Sequence, residues 1–219
     1  MNYTQLSAAI QAYTENTEAN FVAEIPVFVQ QAEQRIYNNV QFPSIRKNVT
    51  GATSANNKYL GCPNDFLAVY SIAAIDALGN YEYLLNKDVN YIRQAYPNPT
   101  SDTGIPKYYA LFGAQTNDVN ELTFILGPTP DATYSVELHY YYYPESIVTA
   151  STTWLGDNFD TVLLYGSLVE AYTYMKGEQD MMQLYNQKYV EALALAKRLG
   201  DGMERQDAYR SGQFRQAVT

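Results

Sequence analysis

Reactive side chains are scarce in this chain: one histidine, His139, one cysteine, Cys62, and carboxylates spread along its length. A single histidine excludes a two-histidine metal site or relay. His139 stands among tyrosines in the alternating stretch 133–143, on the parity expected to face away from a sheet core. No serine or cysteine motif accompanies it to make it a general base, so a surface or interface histidine is expected. Cys62 precedes Pro63 close to a turn and has no second thiol to pair with. It reads as an incidental small side chain rather than a nucleophile. Paired carboxylates can hydrolyse glycosides. Here, however, Asp157 and Asp160 sit where helix N-terminal charges belong, Glu137 falls on the polar side of a strand, and Asp65 follows Pro63-Asn64 in a turn. Phosphate-cradling glycine patterns, nucleophile elbows and metal-binding helix motifs are missing. The residues point to no catalytic activity, no cofactor and no metal.

Tyrosine is the strongest bias, 22 of 219 residues. Such a surface stacks sugars or bases, or it forms a half-buried pleated face whose outer side meets a neighbouring subunit. Tyr141 and Tyr143 lie on the parity opposite the sheet core and are expected to meet a neighbouring subunit, since tyrosine is enriched at interfaces. Net charge is −9, and residues 201–219 carry three acidic and three basic side chains, so the whole excess resides on residues 1–199. With no basic stripe, tight DNA binding is not expected, whereas DNA passing without sticking is compatible. No run approaches the roughly 18 apolar residues of a membrane span. The N-terminus shows neither a basic region nor an apolar core of a signal peptide. A soluble protein made and used on the cytosolic side is expected, and the Asn48-Val49-Thr50 sequon carries no meaning there.

Helical spacing brackets a strand-like middle. A first short helix is expected from Thr4, as N-cap, to Tyr13. A second should run from Ile25 to Val40, with Ile25, Phe28, Val29, Ala32, Ile36 and Val40 on one stripe and Pro26 in its first turn. Strands are expected at 45–53, 59–60, 67–76, 81–86, 107–112, 122–126 and 133–143, with Gly79-Asn80 as a tight turn and one helical excursion at 87–96. Tyr134, Val136, Leu138, Tyr140 and Tyr142 should face the core. A third helix, capped by Asp157 or Asn158, should carry Phe159, Val162, Leu163, Gly166 and Val169 inward. The fourth should span 178–199, ended by Gly200. The spacing therefore predicts an α+β fold. Residues 1–41 and 155–199 form a helical bundle, 42–154 an inserted antiparallel β-sandwich or partly closed barrel, and 200–219 an extended C-terminal tail.

The run Ile25-Pro26-Val27-Phe28-Val29-Gln30-Gln31-Ala32-Glu33-Gln34-Arg35-Ile36 resembles the N-terminal helix of head-to-tail adaptor (connector) proteins of tailed bacteriophages. The stretch from Trp154 to Met175, continued by 185–195, is similar to their second helical half, and the tail-tubular-protein-A-like group of short-tailed phages is the nearest in layout. The resemblance implies a virion protein at the head–tail junction. It implies a dodecameric ring beneath the portal that contacts a tail or nozzle protein and continues the DNA ejection channel. The C-terminal segment would strap onto the portal, with Arg205, Tyr209, Arg210, Phe214 and Arg215 as portal-binding residues. Their five-residue spacing suits an extended strap. Nothing reads as a self-sufficient coiled-coil seam, so the free chain is expected to be monomeric until a portal templates the ring. The rival readings are a tail-associated carbohydrate-binding β module, using Tyr141, Tyr143, Tyr108 and Tyr109, and a small two-carboxylate glycan-cleaving enzyme.

Overall fold

Helix α1 spans Tyr3–Thr14, and its start is set by a reciprocal capping box. The Asn2 side chain accepts from the Gln5 amide (2.9 Å), while the Gln5 side chain accepts from the Asn2 amide (3.0 Å). The cap is thus Asn2, not Thr4. This computed structural model describes the backbone of residues 1–114 and 122–215 and the side chains of 1–114 and 122–200. Helix α2, Ala19–Asn39, begins six residues before the expected Ile25. Phe21 is the reason: it is buried one turn ahead of Ile25 and extends the apolar stripe backward. Pro26 consequently lies inside the helix, where it has no N–H to offer the Val22 carbonyl, and the tertiary burial on either side outweighs that loss.

Residues Arg46–Tyr142 form one unit, built of two four-stranded sheets. The strands are β1 (Arg46–Ala52), β2 (Tyr59–Gly61), β3 (Ala68–Ile75), β4 (Tyr81–Tyr83), β5 (Leu85–Asn86), β6 (Tyr108–Phe112), β7 (Thr123–Gly127) and β8 (Ser135–Tyr141). The sheet orders are β1-β8-β3-β4 and β2-β7-β6-β5, all antiparallel except β5 with β6. Ile72, Ala74, Val136, Leu138 and Tyr140 of one sheet share a buried core with Tyr109, Phe124 and Leu126 of the other. This is a sandwich, with β8 inward on the expected parity. The stretch 81–86 is not one strand: β4 pairs with β3, β5 pairs with β6, and buried Leu84 marks the passage between sheets. Asp76 closes the β3–β4 turn by accepting from the Leu78 and Asn80 amides (2.8 Å each), with Gly79 at φ +85°. Helix α3, Val89–Ala95, is capped by Asp88 and lays Ile92 on Ala110 and Ile125, on the outer side of its sheet.

The second unit, Met1–Ile45 with Tyr143–Thr219, holds α1, α2 and four further helices: α4 (Ile147–Ala150), α5 (Trp154–Asn158), α6 (Asp160–Met175) and α7 (Gln179–Arg215). Thr153, rather than Asp157 or Asn158, provides a cap, and it caps α5; α6 starts separately at Asp160 without a side-chain cap. Helix α6 lies in the middle, packed on α1, α2 and α7. Gly166 permits this approach, since a Cβ there would stand 3.2 Å from both the Ala32 Cβ and the Tyr189 ring. Lys176, at φ +54°, ends α6 as its C-cap.

Gly200 does not end α7. The helix continues to Arg215, so the segment expected to be an extended tail has helical backbone. Gly200 is instead a contact residue: a Cβ would lie 3.1 Å from the Val40 Cγ1 and 3.2 Å from the Gln41 carbonyl oxygen. No proline interrupts residues 201–215, and extending an existing helix avoids the nucleation cost. Buried Glu33 joins α2 to the chain entering α4, accepting from the Ile147 amide at 2.9 Å.

Candidate interaction surfaces

The outer face of the β1-β8-β3-β4 sheet gathers the polar and aromatic residues left over by the core parity of β8. Register places Arg46 opposite Tyr141, Asn48 opposite His139 and Thr50 opposite Glu137. The Asn48 side-chain amide donates to the Glu137 carboxylate at 2.9 Å. The Arg46 guanidinium lies 4.7 Å from the Tyr70 ring centre and 5.8 Å from that of Tyr141, and the two rings meet edge-on at 5.9 Å. These are cation–π distances, which fix Arg46 against the sheet surface. The negative charge of Glu137 pushes the Tyr81 phenol up from its ordinary value.

Tyr141 is therefore partly covered by its own chain, through Tyr70 and Arg46. Tyr143 lies in the helical unit, where its hydroxyl bonds the Asn38 side chain. The two residues expected to share an interface belong to different units. Tyr108 packs against Tyr91 and Tyr96, and Tyr109 is buried against Phe124, so Lys107-Tyr108-Tyr109 presents no open stacking platform.

The structure brings a serine to His139 that linear spacing did not reveal. Ser71 Oγ lies 3.2 Å from His139 Nδ1, and a Glu137 oxygen lies 3.9 Å from Nε2. The three are cross-strand neighbours on β3 and β8, with the His139 side chain 44% exposed. Acyl-transfer chemistry needs amides aimed at a developing oxyanion. Strand β8 is paired on both sides, so its backbone amides serve the ladders. The group forms a polar network on a sheet surface. Asp65, expected as a plain turn residue, instead ties Lys47 (2.7 Å) and the Tyr140 hydroxyl (2.8 Å). Burial raises its carboxyl, but these two bonds outweigh that and hold it below its ordinary value.

Strand β1 is an edge of its sheet, and a cleft of about 310 Å³ opens beside it. Val49, Gly51, Leu60 and Cys62 form its walls, with Phe124, Val136 and Leu138 beneath. Gly51 leaves the inner face unfilled, since nothing lies within 4 Å of a Cβ placed there. In the helical unit, α2 exposes Gln30, Gln31, Gln34, Asn38 and Asn39, an uncharged amide face whose one cation, Arg35, is paired with Glu170. Helix α7 exposes Leu184, Val190, Leu195 and Leu199. The side chains of Arg205, Tyr209, Arg210, Phe214 and Arg215 lie outside the described residues, and their backbone is helical. The expected five-residue strap spacing thus falls on helix.

Among the described residues, no group of His, Cys, Asp and Glu is arranged to hold a metal ion, and no helix is long and apolar enough to cross a membrane. Two comparisons with known proteins complete the description. The family model described as SU10 adaptor protein matches residues 1–216. No curated protein matches the sequence.

Proposed function

The chain belongs to the SU10 adaptor protein family, and from that membership we propose that it forms a ring beneath a phage portal, joining capsid to tail. The match along residues 1–216 is the observation that carries this reading, because it takes in both units and the end of α7. A dodecamer of the tail-tubular-protein-A-like kind is the proposed assembly, with a tail or nozzle protein on its far side. DNA passes through the ring without specific binding. The excess of negative charge on residues 1–199 suits that passage, because a channel that neutralised phosphates would hold its cargo.

The portal contact is proposed for α7 beyond Gly200, through Arg205, Tyr209, Arg210, Phe214 and Arg215. A segment already helical loses less conformational freedom on docking than an unfolded strap would. Many copies on one ring make individually weak contacts collectively durable. Tyr141 and Tyr143 are proposed as subunit or tail contacts from their two separate units.

Electron microscopy of the chain mixed with its phage's portal protein tests this. A second ring stacked on the portal is expected, and it should be absent when residues 201–219 are deleted. Undiminished docking after the deletion would move the contact elsewhere, and failure of the intact chain to dock would remove the adaptor reading.

A further inference from the structure

Helix α7 carries two interleaved stripes, and its own bundle uses one of them. Tyr185, Tyr189, Leu193, Ala196 and Gly200 recur at steps of three and four and are buried. Leu184, Lys188, Glu191 and Leu195 recur at steps of four, three and four, the spacing of a coiled-coil seam, with Leu199 one turn further on. This second stripe is open. Leu184, Leu195 and Leu199 are 45%, 63% and 46% exposed, and Lys188 and Glu191 are solvent-facing between them.

The charge pattern says what fits there. Turned end for end, the stripe maps onto itself: Leu184 meets Leu195, and Lys188 meets Glu191, in both halves of the pair. A parallel copy in register would set Lys188 against Lys188 and Glu191 against Glu191, a like-charge arrangement that disfavours pairing. The reversed register also brings Asp180 of one helix to within one residue of the level of Arg198 of the other. It opposes the two helix dipoles as well. We infer that two copies of the free chain pair through this stripe as an antiparallel, two-fold helix pair. The inference rests on α7 alone and does not depend on the adaptor reading. It replaces the expectation of a monomeric free chain. A two-fold pair is closed and cannot propagate into a ring, so the pair must open before copies join a portal.

Sedimentation velocity on the full chain over a dilution series is the test, with circular dichroism to establish that each variant folds. Wild type should form a reversible dimer. K188E and E191K, each at an exposed position, should separately lose the dimer by setting like charges together. Mixing K188E with E191K should restore it as a heterodimer, because all four central charges then pair with opposites. V190E changes a residue that is 54% exposed but off the stripe, and should dimerise like wild type. A wild-type chain that stays monomeric, a larger ring in place of a dimer, a dimer indifferent to either charge reversal, or a mixture that stays monomeric would each overturn the pairing. Should either charge variant fail to fold, the V190E and L195E pair decides the matter: loss of the dimer in L195E alone supports the stripe, and equal behaviour of the two overturns it.

Discussion

The surroundings of Gly166, on α6 of the helical unit, and of Gly51, on the β1 edge of the β unit, differ in the room they leave for a side chain. In the helical unit, Gly166 sits where two helices close on α6, with Ala32 and Tyr189 at the limit of contact. In the β unit, Gly51 faces an open cleft. Gly166 leaves little room for added volume, as does Gly127 of the β unit, where a Cβ would lie 2.8 Å from the Ile92 Cγ2. The sandwich core is built on large aromatic rings and opens along β1, so it should be sensitive to lost volume and tolerant of gains at that edge.

The largest expected effect is loss from the sandwich. Phe124 is fully buried and meets Phe66 and Tyr109 edge-on at 5.5 and 5.6 Å. Phe124→Ala should cost about 4 kcal/mol in urea unfolding, through lost transfer energy and the cavity left behind. Gly166→Leu should cost on the order of 3 kcal/mol, because the added side chain has nowhere to go without moving α2 or α7. Unchanged stability in that variant would dissolve the contrast between the units.

Glu33→Ala should cost about 2 kcal/mol by leaving the buried Ile147 amide without an acceptor. The same residue separates the units by pH. Burial raises the Glu33 carboxyl above its ordinary 4.5, against the bonds from Ser146 and Ile147. The folded chain therefore holds this proton more tightly than the unfolded chain. Its contribution to stability is full below the ordinary value and lost as pH rises through the raised one. Asp76 behaves in the opposite sense: bonds from Asn80 hold it below 3.8, so its contribution is full above that value and lost as pH falls. Acidification should stabilise wild type relative to Glu33→Gln in urea unfolding, while weakening protection of the Leu78 amide in hydrogen exchange corrected for intrinsic rates. The same pH response in wild type and Glu33→Gln would contradict the first assignment, and an unmoved Leu78 amide the second. Gly51→Ala should stay within about 0.5 kcal/mol of wild type, tending to stabilise by reducing unfolded-chain freedom.

Spacing alone made the architecture readable. The alternation in β8, the stripe of α2 from Ile25 onward and the Gly79 turn all follow from local geometry, so they could be placed from residue order. The inward parity of Val136, Leu138 and Tyr140 was legible for that reason. Less of the surface chemistry could be read. Ser71 meets His139 through strand register, 68 residues apart in sequence, and Asp65, in the turn before β3, reaches Lys47 on β1 and Tyr140 on β8.

By itself the sequence determined the period of each segment, the sign of the body's charge and the kinds of residue on each face, since these depend only on order and geometry along the chain. The tertiary structure alone decided which of the two stripes on α7 is buried and whether Gly200 is a stop or a contact. It also decided that Phe21 carries α2 past Pro26 and that Leu84 divides one apparent strand between two sheets. Each of these turns on which distant surface arrives to compete for burial, and local spacing holds no information about that arrival.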